Sequence, residues 1–241
     1  MVRKTSSQAG EAPDVESVIA ELKRVATQET LDGMSRFAIP SDNAFGVAMR
    51  DVQAIAKRIG FQHALAQQLW DSGFYEARLL AAYVDDPDEV NSRQMDQWCR
   101  DFDNWAVCDT VCFALFDRST HAWDKVELWM MRDGEFARRA AYALLWGLSV
   151  HDKAASDEKF LHGLQLVERG ATDDRRFVKK AVNMALRAIG KRNAVLHEAA
   201  LATAKRLAAS EDATPHWIGH DALRELVDPA LAERLARKAA S

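Results

Sequence analysis

Between residue 14 and the C-terminus, apolar residues recur at helical spacing in one segment after another, and no stretch shows convincing strand alternation. The segments are interrupted at Pro40-Ser41-Asp42, Gly60, Asp85-Asp86-Pro87, Gly134, Gly170, Gly190 and Thr214-Pro215. The pattern predicts an all-α chain. Its first helix is expected to start at Asp14, whose carboxylate can cap the run VESVIAELKRVA. Asp86-Pro87, Thr214-Pro215 and Asp228-Pro229 each offer a capping oxygen followed by a proline, and they predict three further helix starts. Residues 1 to 13 are expected to be a disordered leader, and residues 14 to 241 a single helical-repeat domain.

The helices carry an internal repeat. Phe136-Ala-Arg-Arg-Ala140 followed by AYALL overlays Phe177-Val-Lys-Lys-Ala181 followed by VNMAL at a shift of 41 residues. Helix pairs of HEAT type repeat at about 40 to 47 residues, and stacking such pairs makes a solenoid with one concave face. The helix over Phe136 to Val150 is apolar almost all round, so it is expected between neighbours, with Arg138 and Arg139 at the end that can reach a surface.

Composition agrees with this picture. A chain of 241 residues, 48% hydrophobic with five prolines and eleven glycines, can bury a large core and favours helix. The polar N-terminus has no apolar run of signal or membrane-spanning length, so a cytoplasmic protein with no membrane partner is expected. Cys99, Cys108 and Cys112 lack paired zinc-site spacing, and the pair at i, i+4 is expected to be small core residues. No histidine stands in a metal-binding motif, and no P-loop, G-x-G-x-x-G or G-x-S-x-G is present, so neither metal nor organic cofactor is expected.

The formal net charge is −4, yet Arg175 to Arg192 holds seven basic residues and no acidic one. Lys180, Met184, Arg187 and Lys191 form one helical stripe there, which suits a phosphate backbone. The competing reading is a solvated helix face, and the repeated basic pair at Arg138-Arg139 weighs against it. A second constellation is Asp101-Phe-Asp-Asn-Trp105-Ala-Val-Cys-Asp109, in which Trp105 and Asp109 lie one turn apart. An indole beside a carboxylate can host a developing cation. The alternative makes Trp105 a core residue and pairs Asp109 with a basic residue of the next helix. Asp101 and Asp103 are expected to cap the helix carrying Trp105.

The blocks FGVAMRDVQAIAKRIG, EARLLAAYVDDP, DFDNWAVCD, EFARRAAYALL, His151 to Lys153 and FVKKAVNMALRAIGKRN, in that order, resemble the AlkD-type DNA alkylation repair family over Met34 to Asn193. The resemblance implies a HEAT-like solenoid that cradles double-stranded DNA in a basic concave groove. It also implies cleavage of the N-glycosidic bond of purines alkylated at N3 or N7, within base excision repair. On the matching positions, Asp109 is the catalytic carboxylate, Trp105 one wall of the sugar-facing site, and Arg139 a backbone clamp, with Arg138, Lys179, Lys180 and Arg187 on the DNA. The chain departs from the family pattern at Met184, where a second aromatic wall, a tryptophan, is usual. Methionine keeps bulk and polarizability without a ring face. Two other readings stand beside this one: a non-catalytic solenoid recognising damaged or branched DNA, and a repeat module holding an acidic peptide. A monomer is expected, because one solenoid can wrap a duplex alone.

Overall fold

The computed structural model describes residues 13–239, and among these the chain is helical with no strand. The expected leader therefore lies, apart from Pro13, outside the described residues. The helices are α1 (Val15–Val25), α2 (Gln28–Gly33), α3 (Met49–Ile59), α4 (His63–Asp71), α5 (Tyr75–Val84), α6 (Ser92–Arg100) and α7 (Trp105–Ala114). They continue as α8 (Ala122–Met130), α9 (Glu135–His151), α10 (Asp157–Gly170), α11 (Arg176–Gly190), α12 (Ala194–Ala208), α13 (Ala213–Leu226) and α14 (Pro229–Ala239). Contacts divide the chain after Asp85 into two compact units, at punctuation visible in the sequence.

Of the expected helix starts, Asp14 accepts from Ser17 N at 2.8 Å, and Asp228 accepts from Ala230 N at 3.0 Å just ahead of Pro229. Two starts differ. Asp86-Pro87 opens a turn, with the Asp86 side chain accepting from Asp88 N, and α6 begins only after Asn91, which caps it. Thr214-Pro215 lies inside α13, two residues past its boundary at Asp212; Pro215 falls within the first turn, where a missing N–H still breaks no helical bond.

In the first unit the buried Glu76 on α5 organises a loop. Its carboxylate accepts from the backbone N–H groups of Phe45, Gly46 and Val47 at 2.9, 2.7 and 3.1 Å. Gly46 adopts φ 89°, and a Cβ there would lie 2.5 Å from the Thr27 carbonyl oxygen, so this close approach requires glycine.

The second unit is built from two rows of helices. Along one row run α7, α9, α11 and α13, and repeated side-chain rungs define their register. Cys108 and Cys112 of α7 meet the Phe136 and Ala140 carbonyls of α9, both 28 residues on. Lys179, Asn183 and Arg187 of α11 meet Trp217, Asp221 and Glu225 of α13, each 38 residues on. A constant offset between rungs one helical turn apart makes these neighbours parallel, so their N-termini share an edge. The second row, α8, α10 and α12, is bridged by Glu127–His162 and Glu168–Arg206. Helix α9 lies between neighbours as its apolar pattern predicts, with Ala140 to Leu145 fully buried. All three cysteines are buried and free.

Below α9, Asp117 is buried against Gly147, where a Cβ would come within 2.6 Å of the carboxylate. One Asp117 oxygen meets His151 Nδ1 at 2.5 Å, and the other has no hydrogen-bond partner among the described residues. Burial pushes this carboxyl from 3.8 up to about 6, against the opposing pull of His151. The folded chain thus holds this proton more tightly than the unfolded chain does, and the contribution of Asp117 to stability falls as pH rises from about 4 to about 6. Asp117→Asn removes that dependence. Denaturant unfolding should show the stability of the variant relative to wild type rising across this range, by at most about 3 kcal/mol. A difference that is flat with pH would contradict the assignment.

Candidate functional site

The N-terminal edge of the row α7, α9, α11 and α13 gathers most of the residues singled out in the sequence. Helix α7 starts at Trp105 because Asn104 caps it, accepting from Val107 N at 3.0 Å. This corrects the expectation for Asp101 and Asp103: Asp101 closes α6, and Asp103 instead accepts from the Asn104 side-chain amide at 2.7 Å, which orients the cap. Starting the helix at Trp105 places Asp109 one turn in, on the side that faces α9.

There Asp109 meets Arg139. The guanidinium donates through Nε to Oδ1 at 2.8 Å and through an Nη to Oδ2 at 2.5 Å, a bidentate pair. Its other Nη donates to the Phe177 carbonyl oxygen of α11 at 2.7 Å, and its centre lies 5.9 Å from the Trp105 ring. One arginine therefore ties three successive helices and the indole together. Burial pushes the Asp109 carboxyl above its ordinary range, while the Arg139 charge and hydrogen bonds oppose that rise. Desolvation favours the neutral acid here, and the guanidinium favours the charged carboxylate. The Arg139 side chain is 4% exposed and that of Asp109 13%, so the carboxylate retains a small opening to solvent.

Trp105, Asp109 and Arg139 thus form one cluster; the ion-pair partner lies on α9 and not on the next helix, α8, and Trp105 is half-buried. The remaining residues disperse. Arg138 donates to Asp173 at 3.0 Å and to the Arg132 carbonyl oxygen at 2.8 Å. Arg187 pairs with Glu225 at 2.9 Å, and Lys191 with the same carboxylate. Two cations of the basic stripe therefore share one carboxylate of α13, which lies well outside the basic segment. The N-terminal half of the stripe keeps its charge: Arg176, Lys179 and Lys180 have no ion pair among the described residues. Met184 is half-buried on α11. Phe136 and Phe177, equivalent positions of the internal repeat, pack with ring centroids 5.4 Å apart, and Arg176 lies over Phe177.

Two residues of this edge were not anticipated. Glu135 accepts from the Phe177 backbone N–H at 3.0 Å, which satisfies an otherwise unpaired donor at the start of α11. Trp217, 38% exposed, lies beneath the Lys179 ammonium at 5.4 Å. No local signal in the sequence marks it, because its partner lies 38 residues away on another helix.

No helix among the described residues is long and apolar enough to cross a membrane. No group of three or more potential metal ligands comes together among them.

A family model described as "DNA alkylation repair enzyme" matches residues 18–226. No curated protein matches the chain. Among solved structures the chain is similar to one described as "A new family of proteins related to the HEAT-like repeat DNA glycosylases with affinity for branched DNA structures". The TM-score is 0.72 at 26% identity, over 80% of this chain and 83% of that one.

Proposed function

Because the chain belongs to the DNA alkylation repair enzyme family and has its HEAT-like repeat fold, we propose that it is a glycosylase releasing N3- or N7-alkylated purines from double-stranded DNA. The observation that carries this reading is the Arg139-held Asp109 carboxylate, partly open beside Trp105 at one helical edge. An alkylated purine is already cationic. When the C1′–N9 bond breaks, its electron pair goes to the purine, which leaves neutral, and the positive charge passes to the sugar as an oxocarbenium ion. Water then adds through its oxygen to C1′ and loses a proton.

Asp109 supplies the negative charge that this sugar cation needs, and it is in place before the reaction, so little reorganisation is required. The Trp105 face adds attraction for the same cation. Arg139 in this scheme is a positioning residue, since its donors are turned inward to Asp109 and Phe177. Phosphate attraction falls instead to Arg176, Lys179 and Lys180. Neutral purines are poor leaving groups, so intact DNA is bound and left uncut. The protein works as a monomer, without metal or organic cofactor.

The test is release of N7-methylguanine and N3-methyladenine from methylated duplex DNA at low salt. Release above the spontaneous rate supports the glycosylase. Binding that weakens with salt, without any release, supports a second reading, a non-catalytic protein for damaged or branched DNA. Two observations favour that alternative: Met184 at the position of the second aromatic wall, and the similarity to a protein described as having affinity for branched DNA. Met184→Trp discriminates further. If a second aromatic face stabilises the sugar cation, the variant should release N7-methylguanine about five- to tenfold faster under single-turnover conditions. An unchanged rate from an active wild type would remove the wall from the mechanism.

A further inference from the structure

We propose that Trp217 and Lys179 form a second DNA contact that takes an unpaired nucleotide, as found at a gap, flap or branch point. The inference rests on the DNA-binding part of the function proposed above and is independent of base release.

Three rungs join α11 to α13, and they differ in kind. Asn183 donates to Asp221 at 2.5 Å, and Arg187 pairs with Glu225 at 2.9 Å; both are polar on each side. In the third rung, Lys179 faces Trp217, and its charge meets an aromatic face instead of an acid. This rung lies at the N-terminal edge shared with Trp105, and 38% of Trp217 is open to solvent. Lys180 and Arg176 of the same helix turn as Lys179 are exposed and have no ion pair among the described residues, so this end of α11 keeps its positive charge.

The chemistry of this patch selects its occupant. Cations at its border suit phosphates, and an indole face suits a base or a sugar. In an intact duplex each base face is covered by the next base pair, so an indole cannot stack on it. A nucleotide without a partner exposes that face and can turn it to the protein. The Lys179 ammonium, on a flexible stem, can leave the ring for the phosphate of the same nucleotide as the base takes its place.

The experiment compares binding of unmethylated, fluorescently labelled DNA at low salt, by anisotropy, for wild type, Trp217→Ala and Trp217→Phe. The probes are a fully paired duplex and the same duplex carrying a single-stranded flap. Wild type should prefer the flap by about tenfold, Trp217→Ala should lose that preference, and Trp217→Phe should keep most of it. More than half of Trp217 is buried, so Trp217→Ala should lower the thermal midpoint, and binding is compared well below it for all three proteins. A wild type that binds both probes equally would overturn the inference, as would an alanine variant that keeps the preference or weakens on both probes alike. Failure of wild type to bind either probe would overturn the DNA-binding reading beneath it. Absence of methylpurine release, in contrast, would leave this comparison intact.

Discussion

Asp109→Asn should lower the single-turnover rate of N7-methylguanine release by about two to three orders of magnitude while duplex binding persists. The substitution keeps the shape of the side chain and removes its charge. Losing one preorganised group that stabilises transition-state charge costs about 3 to 4 kcal/mol of barrier, and this corresponds to the stated range. Asparagine can still accept one hydrogen bond from Arg139, but the buried guanidinium then lacks its counter-charge. The thermal midpoint should therefore fall as well, and the rate has to be measured well below it. Saturating enzyme separates the chemical step from affinity. Binding should survive because the uncompensated cations Arg176, Lys179 and Lys180 lie on another helix from Asp109. A variant releasing base at the wild-type rate would show that Asp109 serves only the ion pair.

Arg139→Met should destabilise the second unit by about 3 to 5 kcal/mol, because it leaves a buried carboxylate unpaired. Methionine fills much of the arginine stem volume, so packing changes little. What disappears is the bidentate bond to Asp109, the bond to the Phe177 carbonyl and the ring contact with Trp105. For a unit of this size the midpoint should drop by about 10 °C, read by circular dichroism or calorimetry. The double variant Arg139→Met with Asp109→Leu should recover much of the loss, since no charge is then stranded. Arg139→Met with an unchanged midpoint would mean that desolvation and pairing cancel at this site. Lys180→Met, at the equivalent position of the internal repeat, should leave the midpoint within about 0.5 kcal/mol of wild type, because that lysine is exposed.

The contrast between Arg139 and Lys180 shows where sequence reading stops. The two residues occupy matched positions in FARRA and FVKKA, and the repeat rightly places both near the start of a buried helix. The environment of each depends on the preceding helix of the row. Helix α7 presents Asp109 to Arg139, and the arginine turns inward, whereas Lys180 finds no such acid among the described residues and stays in water. The expected role of Arg139 as a phosphate clamp rested on motif position, which carries no information about that partner.

Capping followed the same division. Asp14 and Asp228 were legible because each is the only good cap beside its helix, and local chemistry suffices there. Between Asp101 and Asn104 three candidates lie within four residues, and the choice fell to Asn104 because α6 runs on to Arg100 and uses Asp101 to end.

Helical periodicity, the 41-residue repeat and the local pairing of Trp105 with Asp109 follow from the sequence, because each depends on residues within a few turns of one another or on comparison of like segments. The charge of the α11 stripe did not, since Glu225 pairs with both Arg187 and Lys191 from a helix that a linear reading treats as separate. Trp217 was invisible for the same reason: its partner Lys179 lies 38 residues away, and only the parallel packing of α11 on α13 brings a lone tryptophan and a lone lysine to one exposed edge. Backbone propensity and hydrophobic spacing act locally and are written along the chain. Which charges cancel, and which aromatic faces remain open, depends on distances between helices, and these exist only once the rows have packed.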